Sequence, residues 1–544
     1  MTPKVSERGR LWRWTALACA LALLNVSLTF RNVWPTPGVE WTGDLSIELA
    51  VFVLGLSLAM PRFGAPPRWL ITWLAGVWLL LAIGRYADVT APAVYGREIN
   101  LYWDVRHMGA VAAMLATAVS PWIVAAVVVA VLLVSHVAHR FLRWAIGCVA
   151  EAMSHPCERR VVGAIAAAVS LLFVGQHISG APSVLRFSTP VTESYARQAR
   201  LFTTDLASET IIPAAQRLDS DLSGVAGADV FIVFVESYGA VSYDNATFAT
   251  RLAPGRASLA ADIDATRRGV VSAFVESPTF GGSSWLAHAS LLTGVEVRNE
   301  DTNVRLMAQA RDTLVTTFAR RGYRTVAAMP GNSHPWPEGA FYRFDQIYDR
   351  ARLDYRGPRF GWWFVPDQFT LARLDALEIA PRARKPVFVV MPTISTHAPF
   401  GPTAPYQPDW ARLLTAQPYA DADVAEALAH EPDLLNMGPS YVNAIAYTYA
   451  SIGGYLRMRA DRDVVMIVIG DHQPAAAVSG QGASWDVPLH VIASRPQLLE
   501  RLEAHGFTRG LTPARAHLGP MNRLLPVFLD AFAAGPEAAG LQAE

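Results

Sequence analysis

Apolar positions follow two regimes along this chain. In the first third they form long runs at about 14–30, 45–60, 69–83, 121–139 and 161–178. Runs near 17 residues, at 1.5 Å per residue, sit at the lower limit for crossing about 30 Å of hydrocarbon. They predict five membrane-spanning helices. Trp12, Trp14, Trp69 and Trp122 flank the runs, as an interfacial belt requires. A further apolar stretch, 108–120, either lengthens the fourth span or lies in the interface. Beyond about residue 226 the runs shorten to five to seven residues, at 230–235, 325–329, 386–392 and 464–469. Mostly β-branched and bounded by turn residues, these read as strands buried on both faces of an open α/β sheet. Helical stretches at 285–293 and 441–457 lie among them. The division expected is a transmembrane domain over 1–180, a juxtamembrane linker over 181–225 and a second domain over 226–535.

Charge orients the first domain. Lys4, Arg8, Arg10 and Arg13 precede the first run, Arg62 and Arg68 separate the second from the third, and Arg140, Arg143, Arg159 and Arg160 separate the fourth from the fifth. Only Arg31 follows the first run, while Arg85, Arg97 and Arg106 follow the third. By the positive-inside rule the N-terminus is cytoplasmic, and five spans leave the second domain outside. The expected location is the inner (cytoplasmic) membrane, multi-pass, with a periplasmic domain. The first run lacks a small-x-small cleavage site and reads as an anchor. Charged residues make up 17% of the chain and cancel to zero, which offers no basic surface for nucleic acid. Cys19, Cys148 and Cys157 all precede the second domain, which must stand without disulfides.

The chemistry-bearing residues gather at strand ends. The run 464–469 passes directly into Gly470-Asp471-His472, and 230–235 into Glu236-Ser237. The carboxyl ends of strands are where open α/β sheets bind ligands. A carboxylate and an imidazole form a good ligand pair for zinc or manganese. Such an acid can also merely cap a helix; two strands of the same construction favour one metal held between parallel neighbours. Between them, Gly281-Gly282 allows a tight turn, and Ser283-Ser284 precede helix-forming residues that stop at Gly294. A hydroxyl there meets free N–H groups and the positive dipole end, which favour an alkoxide or a bound phosphate. Simple N-capping is the competing role.

Together these pieces resemble the alkaline phosphatase/sulfatase superfamily, and most closely its membrane-anchored branch of lipoteichoic acid synthase-like phosphoglycerol transferases and phosphoethanolamine transferases. The resemblance implies an α/β domain with a mainly parallel central sheet flanked by helices, beside the five-helix transmembrane domain. It implies metal ligands at Glu236, Asp471 and His472, with the nucleophile Ser284 completing the set. Counting back from Leu291-Leu292-Thr293-Gly294 places the nucleophile on Ser284, with Ser283 the alternative. The cofactor implied is one divalent ion, zinc or manganese, or a pair. Leu286, Ala287 and His288 stand where sulfatases carry the Pro, Ser and Arg that direct formylglycine formation. An unmodified serine is therefore expected, which favours phosphorus over sulfate chemistry. The cysteines that surround the nucleophile in phosphoethanolamine transferases are missing.

Two more segments fit the rim. His397, in Thr396-His397-Ala398-Pro399-Phe400, is similar to the histidine of lipoteichoic acid synthases that touches substrate phosphate. In Asn332-Ser333-His334-Pro335-Trp336-Pro337-Glu338, Trp336 matches a head-group tryptophan of the synthases, while Glu338 falls near their arginine and His334 stands in its place. The function implied is transfer of a phosphoglycerol- or phosphoethanolamine-type head group from a membrane phospholipid to an envelope glycan or lipid through a serine-linked intermediate. The alternative is a membrane-anchored phosphodiesterase or sulfatase-type hydrolase.

Overall fold

The computed structural model describes residues 7–34, 36–105, 108–109, 112, 121–179, 185–207, 212–215, 217–333, 336–361 and 364–533. The chain forms two compact units, 1–94 with 98–208, and 95–97 with 209–544.

In the first unit each of the five hydrophobic runs becomes a helix: Glu7–Val26, Ile47–Phe63, Arg68–Tyr95, Pro121–Ser154 and Pro156–Ser179. The expectation of five spans is nevertheless corrected. Among the described residues only the last three are long and apolar enough to cross a membrane. The first helix opens on Glu7, Arg8, Arg10 and Arg13, which leaves a short apolar remainder, and Phe30 falls instead in the strand Phe30–Asn32. The second has 17 residues and contains Pro61 and Arg62; it rises about 26 Å, short of the hydrocarbon thickness. By contrast, Pro121–Ser154 exposes Val127, Val131, Leu132, Leu133 and Val134 in its first half and buries Leu142, Ile146 and Val149 in its second. So much exposed aliphatic surface suits lipid better than water. Most of 108–120 lies outside the described residues. The stretch read as a linker contains a helix, Pro190–Ala207, that groups with the first unit. Glu48 accepts hydrogen bonds from the N–H groups of Val191 and Thr192 at its start.

The second unit is built on a nine-stranded sheet. Its strands are β1 (Asp229–Val235), β2 (Gly269–Glu276), β3 (Arg324–Met329), β4 (Gln346–Asp349), β5 (Val387–Pro392), β6 (Val464–Gly470), β7 (Asp486–Ala493), β8 (Thr508–Arg509) and β9 (His517–Pro520). The order is β8-β2-β7-β6-β1-β5-β3-β4, with β9 paired to β2. The run from β6 through β1, β5 and β3 to β4 is parallel throughout, while β7 is antiparallel to both its neighbours. Alternate side chains explain why the central strands read as continuous apolar runs. Val230, Ile232 and Phe234 enter one core; Phe231, Val233 and Val235 enter the other. Helices Ser284–Thr293, Leu314–Arg320, Pro496–Ala504 and Leu524–Ala531 cover the first core, and Ala246–Ala265 with Gly438–Met458 cover the second. Five parallel strands thus end along one edge, and the turns that follow them share that edge.

Candidate active site

Three turns at this edge converge. Glu236 follows β1 and Asp471-His472 follow β6, its hydrogen-bonded neighbour, so adjacency in the sheet brings the three residues together. Their ligand-type atoms lie within 4.8 Å of one another and all three residues are buried. His472 Nε2 stands 3.2 Å from Glu236 Oε1 and 3.8 Å from Asp471 Oδ1. Its Nδ1 faces the Gln473 carbonyl at 2.7 Å. Donation there fixes the ring and turns Nε2 toward the carboxylates, the orientation typical of metal-bound histidines. Glu236 is braced by Ser237 Oγ, which donates to Oε1 at 3.0 Å, and its own N–H donates to Thr393 Oγ1 at 3.0 Å. Asp471 Oδ1 accepts from the N–H groups of Ser237 and His472. Asp471 Oδ2 is buried with no hydrogen-bond partner among the described residues.

Ser284 joins this group from the other side of the sequence. Gly281 and Gly282 take positive φ, 66° and 147°, and the turn delivers Ser284 as the first residue of helix Ser284–Thr293. Its Oγ donates to Glu236 Oε2 at 2.7 Å and lies 3.2 Å from His472 Nε2. Ser283 precedes it with left-handed backbone, φ 62° and ψ 42°, and its side chain makes no cap hydrogen bond. Of the two adjacent serines, Ser284 is the one whose hydroxyl meets the carboxylate–imidazole cluster.

Two buried carboxylates share a single imidazole, and the electrostatics show the strain. Burial disfavours both acids and is the largest single influence on Glu236, but the charge and hydrogen bond of His472, with His397 and Asp471, together bring its pKa well below the ordinary range. Burial and then the negative Glu236 push Asp471 well above its ordinary range. Burial alone would lower His472, yet Asp471 and Glu236 raise it to about 9. The cluster is short of positive charge, and a partnerless carboxylate oxygen points at the same deficit. Glu236, Asp471 and His472, with Ser284, fit a divalent cation.

The rim residues divide. The charge of His397, in the turn after β5, helps to lower the Glu236 pKa, and its Nδ1 stands 2.7 Å from the Ala398 carbonyl. Trp336 packs against the core and lies 5.8 Å from Tyr342, ring centre to ring centre. No contact among the described residues joins it to Ser284. His334 lies outside the described residues.

Sequence reasoning missed three supports. Asp367 is fully buried and accepts from the N–H groups of Ile394 and Ser395, so it holds the turn that carries His397. Thr393 anchors the Glu236 backbone, as above. His288, one helical turn beyond Ser284, packs on Phe234 at 4.3 Å, and burial lowers its pKa to about 4. Nothing local in sequence marks these residues, because each acts across strands.

A mainly parallel sheet with a serine at a helix start and a Glu/Asp-His group at its carboxyl edge is the arrangement of a sulfatase-like domain of the alkaline phosphatase superfamily. The Sulfatase family model matches residues 230–494. Similar solved structures include a protein in the alkaline phosphatase superfamily from Vibrio parahaemolyticus, at 16% identity over 60% of this chain and 71% of that one, TM-score 0.38. Another is the lipoteichoic acid synthase LtaP from Listeria monocytogenes, at 13% identity over 51% and 68%, TM-score 0.35. A third is the C-terminal periplasmic domain of EptC from Escherichia coli, at 12% identity over 60% and 88%, TM-score 0.37. No curated relative matches the chain.

Proposed function

We propose that this chain is a membrane-bound, metal-dependent phosphoryl-group transferase whose nucleophile is Ser284. One observation carries the reading: the Ser284 hydroxyl donates to Glu236 at 2.7 Å inside a buried two-carboxylate, one-imidazole cluster. Glu236, Asp471 and His472 would hold the ion, zinc or manganese on the chemistry of the donor set. When bound, it supplies Lewis acidity that polarises a phosphoryl oxygen and acidifies a nearby hydroxyl.

The residues then act in two half-reactions. Ser284 Oγ loses its proton to solvent and forms a bond to phosphorus while the bond from phosphorus to the lipid alkoxide breaks. His397 donates the proton that the leaving alkoxide takes up, yielding a diacylglycerol-type alcohol. The hydroxyl of an envelope glycan or lipid next attacks the serine-linked phosphorus and gives its proton to His397, while the bond from phosphorus to Ser284 breaks and the serine regains a proton from solvent. Helices with exposed aliphatic faces favour a donor in the membrane plane. An odd number of spans, three as well as five, would put the two ends of the chain on opposite sides, and the positive-inside bias favours a cytoplasmic N-terminus with the catalytic domain periplasmic.

The test is incubation of the full-length protein with head-group-labelled phospholipid and an envelope extract. Label on a glycan or lipid acceptor, with release of diacylglycerol, is expected. Free head-group phosphate alone would replace transfer by hydrolysis.

A further inference from the structure

The same carboxyl edge carries a second feature that phosphoryl chemistry leaves unused. Neighbouring strands lie about 4.8 Å apart, so β4, three strands from β1, ends on the order of 14 Å from Glu236. The residue after β4 is Arg350. It lines a cavity of about 410 Å³ together with Ser333, Asp354, Tyr355, Arg359 and Phe364. The guanidinium carbons of Arg350 and Arg359 stand 4.0 and 4.3 Å from the centroid of the Phe364 ring. Two like charges are thus held over one aromatic side chain.

Among the described residues neither charge is answered. The cavity's acid, Asp354, is taken by Arg356 at 3.1 and 3.0 Å, and among the described residues no ion pair reaches Arg350 or Arg359. Cation–π attraction to Phe364 offsets part of the repulsion but neutralises nothing. Partial burial, and then Arg359, hold the Arg350 pKa below the ordinary arginine value. A structural arginine pair would be expected to find a carboxylate; this one faces a cavity. The cavity also adjoins the candidate active site, because Phe364 and Val365 line both it and the small cavity that contains His397.

We propose that Arg350 and Arg359 form a distal subsite that binds the oxyanion, carboxylate, phosphate or sulfate, of an acidic glycan. Planar guanidiniums match such oxyanions with paired N–H donors. The Ser333 and Tyr355 side chains and the Phe364 ring suit a sugar, and the lining offers no aliphatic run for an acyl chain. A separation of about three strand spacings requires an occupant several bonds longer than the transferred group, which an oligosaccharide supplies. The proposal rests on the transferase reading only for the role of the glycan as acceptor; the binding does not.

The test uses the full-length protein in detergent. The probes are a heparin-derived hexasaccharide, uncharged maltohexaose and phosphatidylglycerol vesicles, with affinity read by calorimetry. Arg350→Ala/Arg359→Ala should weaken hexasaccharide binding about tenfold or more, and added salt should weaken wild-type binding similarly. Maltohexaose should not bind. Cleavage of bis(p-nitrophenyl) phosphate should stay within about twofold of wild type, since the pair lies away from Ser284. Should the double variant fold poorly, Arg359→Gln alone, at an exposed position, must still weaken the hexasaccharide. Unchanged hexasaccharide affinity overturns the proposal, as does a loss confined to the vesicles. Absence of diester cleavage in the wild type, with the binding result intact, would remove the transferase reading and leave the subsite standing.

Discussion

Two buried imidazoles belong to neighbouring strands of the second unit, β7 and the end of β6, and their environments are opposed. His490, on β7, satisfies both ring nitrogens: Nδ1 lies 2.6 Å from Ser272 Oγ and Nε2 3.0 Å from Tyr238 OH. Tyr238 OH in turn meets Tyr449 OH at 2.8 Å. Burial, reinforced by the charge of Arg256, lowers His490 to about 3, and it is neutral. His472, at the end of β6, is equally buried, yet Asp471 and Glu236 overcome burial and raise it to about 9. The closed network holds the sheet together. The open one leaves Asp471 Oδ2 without a partner and brings a hydroxyl to its centre. Between these two imidazoles, unmet polar valence, more than burial or residue type, is what differs.

That contrast predicts different mutational responses. The largest loss belongs to the open cluster. Glu236→Gln or Asp471→Asn should lower turnover on the order of 10³-fold or more, as should chelation, while the fold persists. Activity near wild type in a chelated or Glu236→Gln preparation would remove the metal from the reading. At the closed network, His490→Leu should instead destabilise by about 1–3 kcal/mol, with activity falling only as far as folded protein is lost. A collapse of turnover in well-folded His490→Leu would erase the distinction.

A smaller effect comes from Asp367, whose carboxyl burial raises to about 6 from an ordinary 3.8. Its folded pKa exceeds its unfolded one, so its contribution to stability is full below about pH 4 and is lost as pH rises through 6. Thermal unfolding across that window should therefore show a downward slope that Asp367→Asn flattens. An unaltered slope in the variant would show that Asp367 does not titrate there. Smallest of all, Ser283→Gly should be neutral or stabilising by up to about 1 kcal/mol, because its φ is positive and its side chain caps nothing. A marked destabilisation would mean that the Ser283 hydroxyl has a role in the turn.

How much of this was legible depends on range. Glu236, Asp471 and His472 could be read because each directly follows an apolar run, and sheet adjacency does the rest. Ser284 was legible once the double glycine fixed the turn and the helix stop at Gly294 fixed the count. Asp367, Thr393 and His490 were not, since their partners lie on other strands or turns and their own neighbourhoods look ordinary. The spans were overcounted for a different reason. Apolar runs register hydrophobicity, whereas crossing also needs length and an absence of charge; Glu7–Val26 carries Glu7, Arg8, Arg10 and Arg13, and Ile47–Phe63 has only 17 residues. The helix Pro190–Ala207, inside the stretch read as a juxtamembrane linker, was not legible because its fixing contacts, to Glu48 and Asp88, come from more than 100 residues away.

The central claim is that Ser284 makes a covalent bond to phosphorus. Full-length protein, incubated with phospholipid donor and no acceptor, then quenched in acid, digested and mapped by mass spectrometry, tests it directly. The expected result is a phosphoryl head group on Ser284, absent from Ser284→Ala. An adduct on Ser283 in its place, or an active preparation that carries none on either serine, would contradict the account.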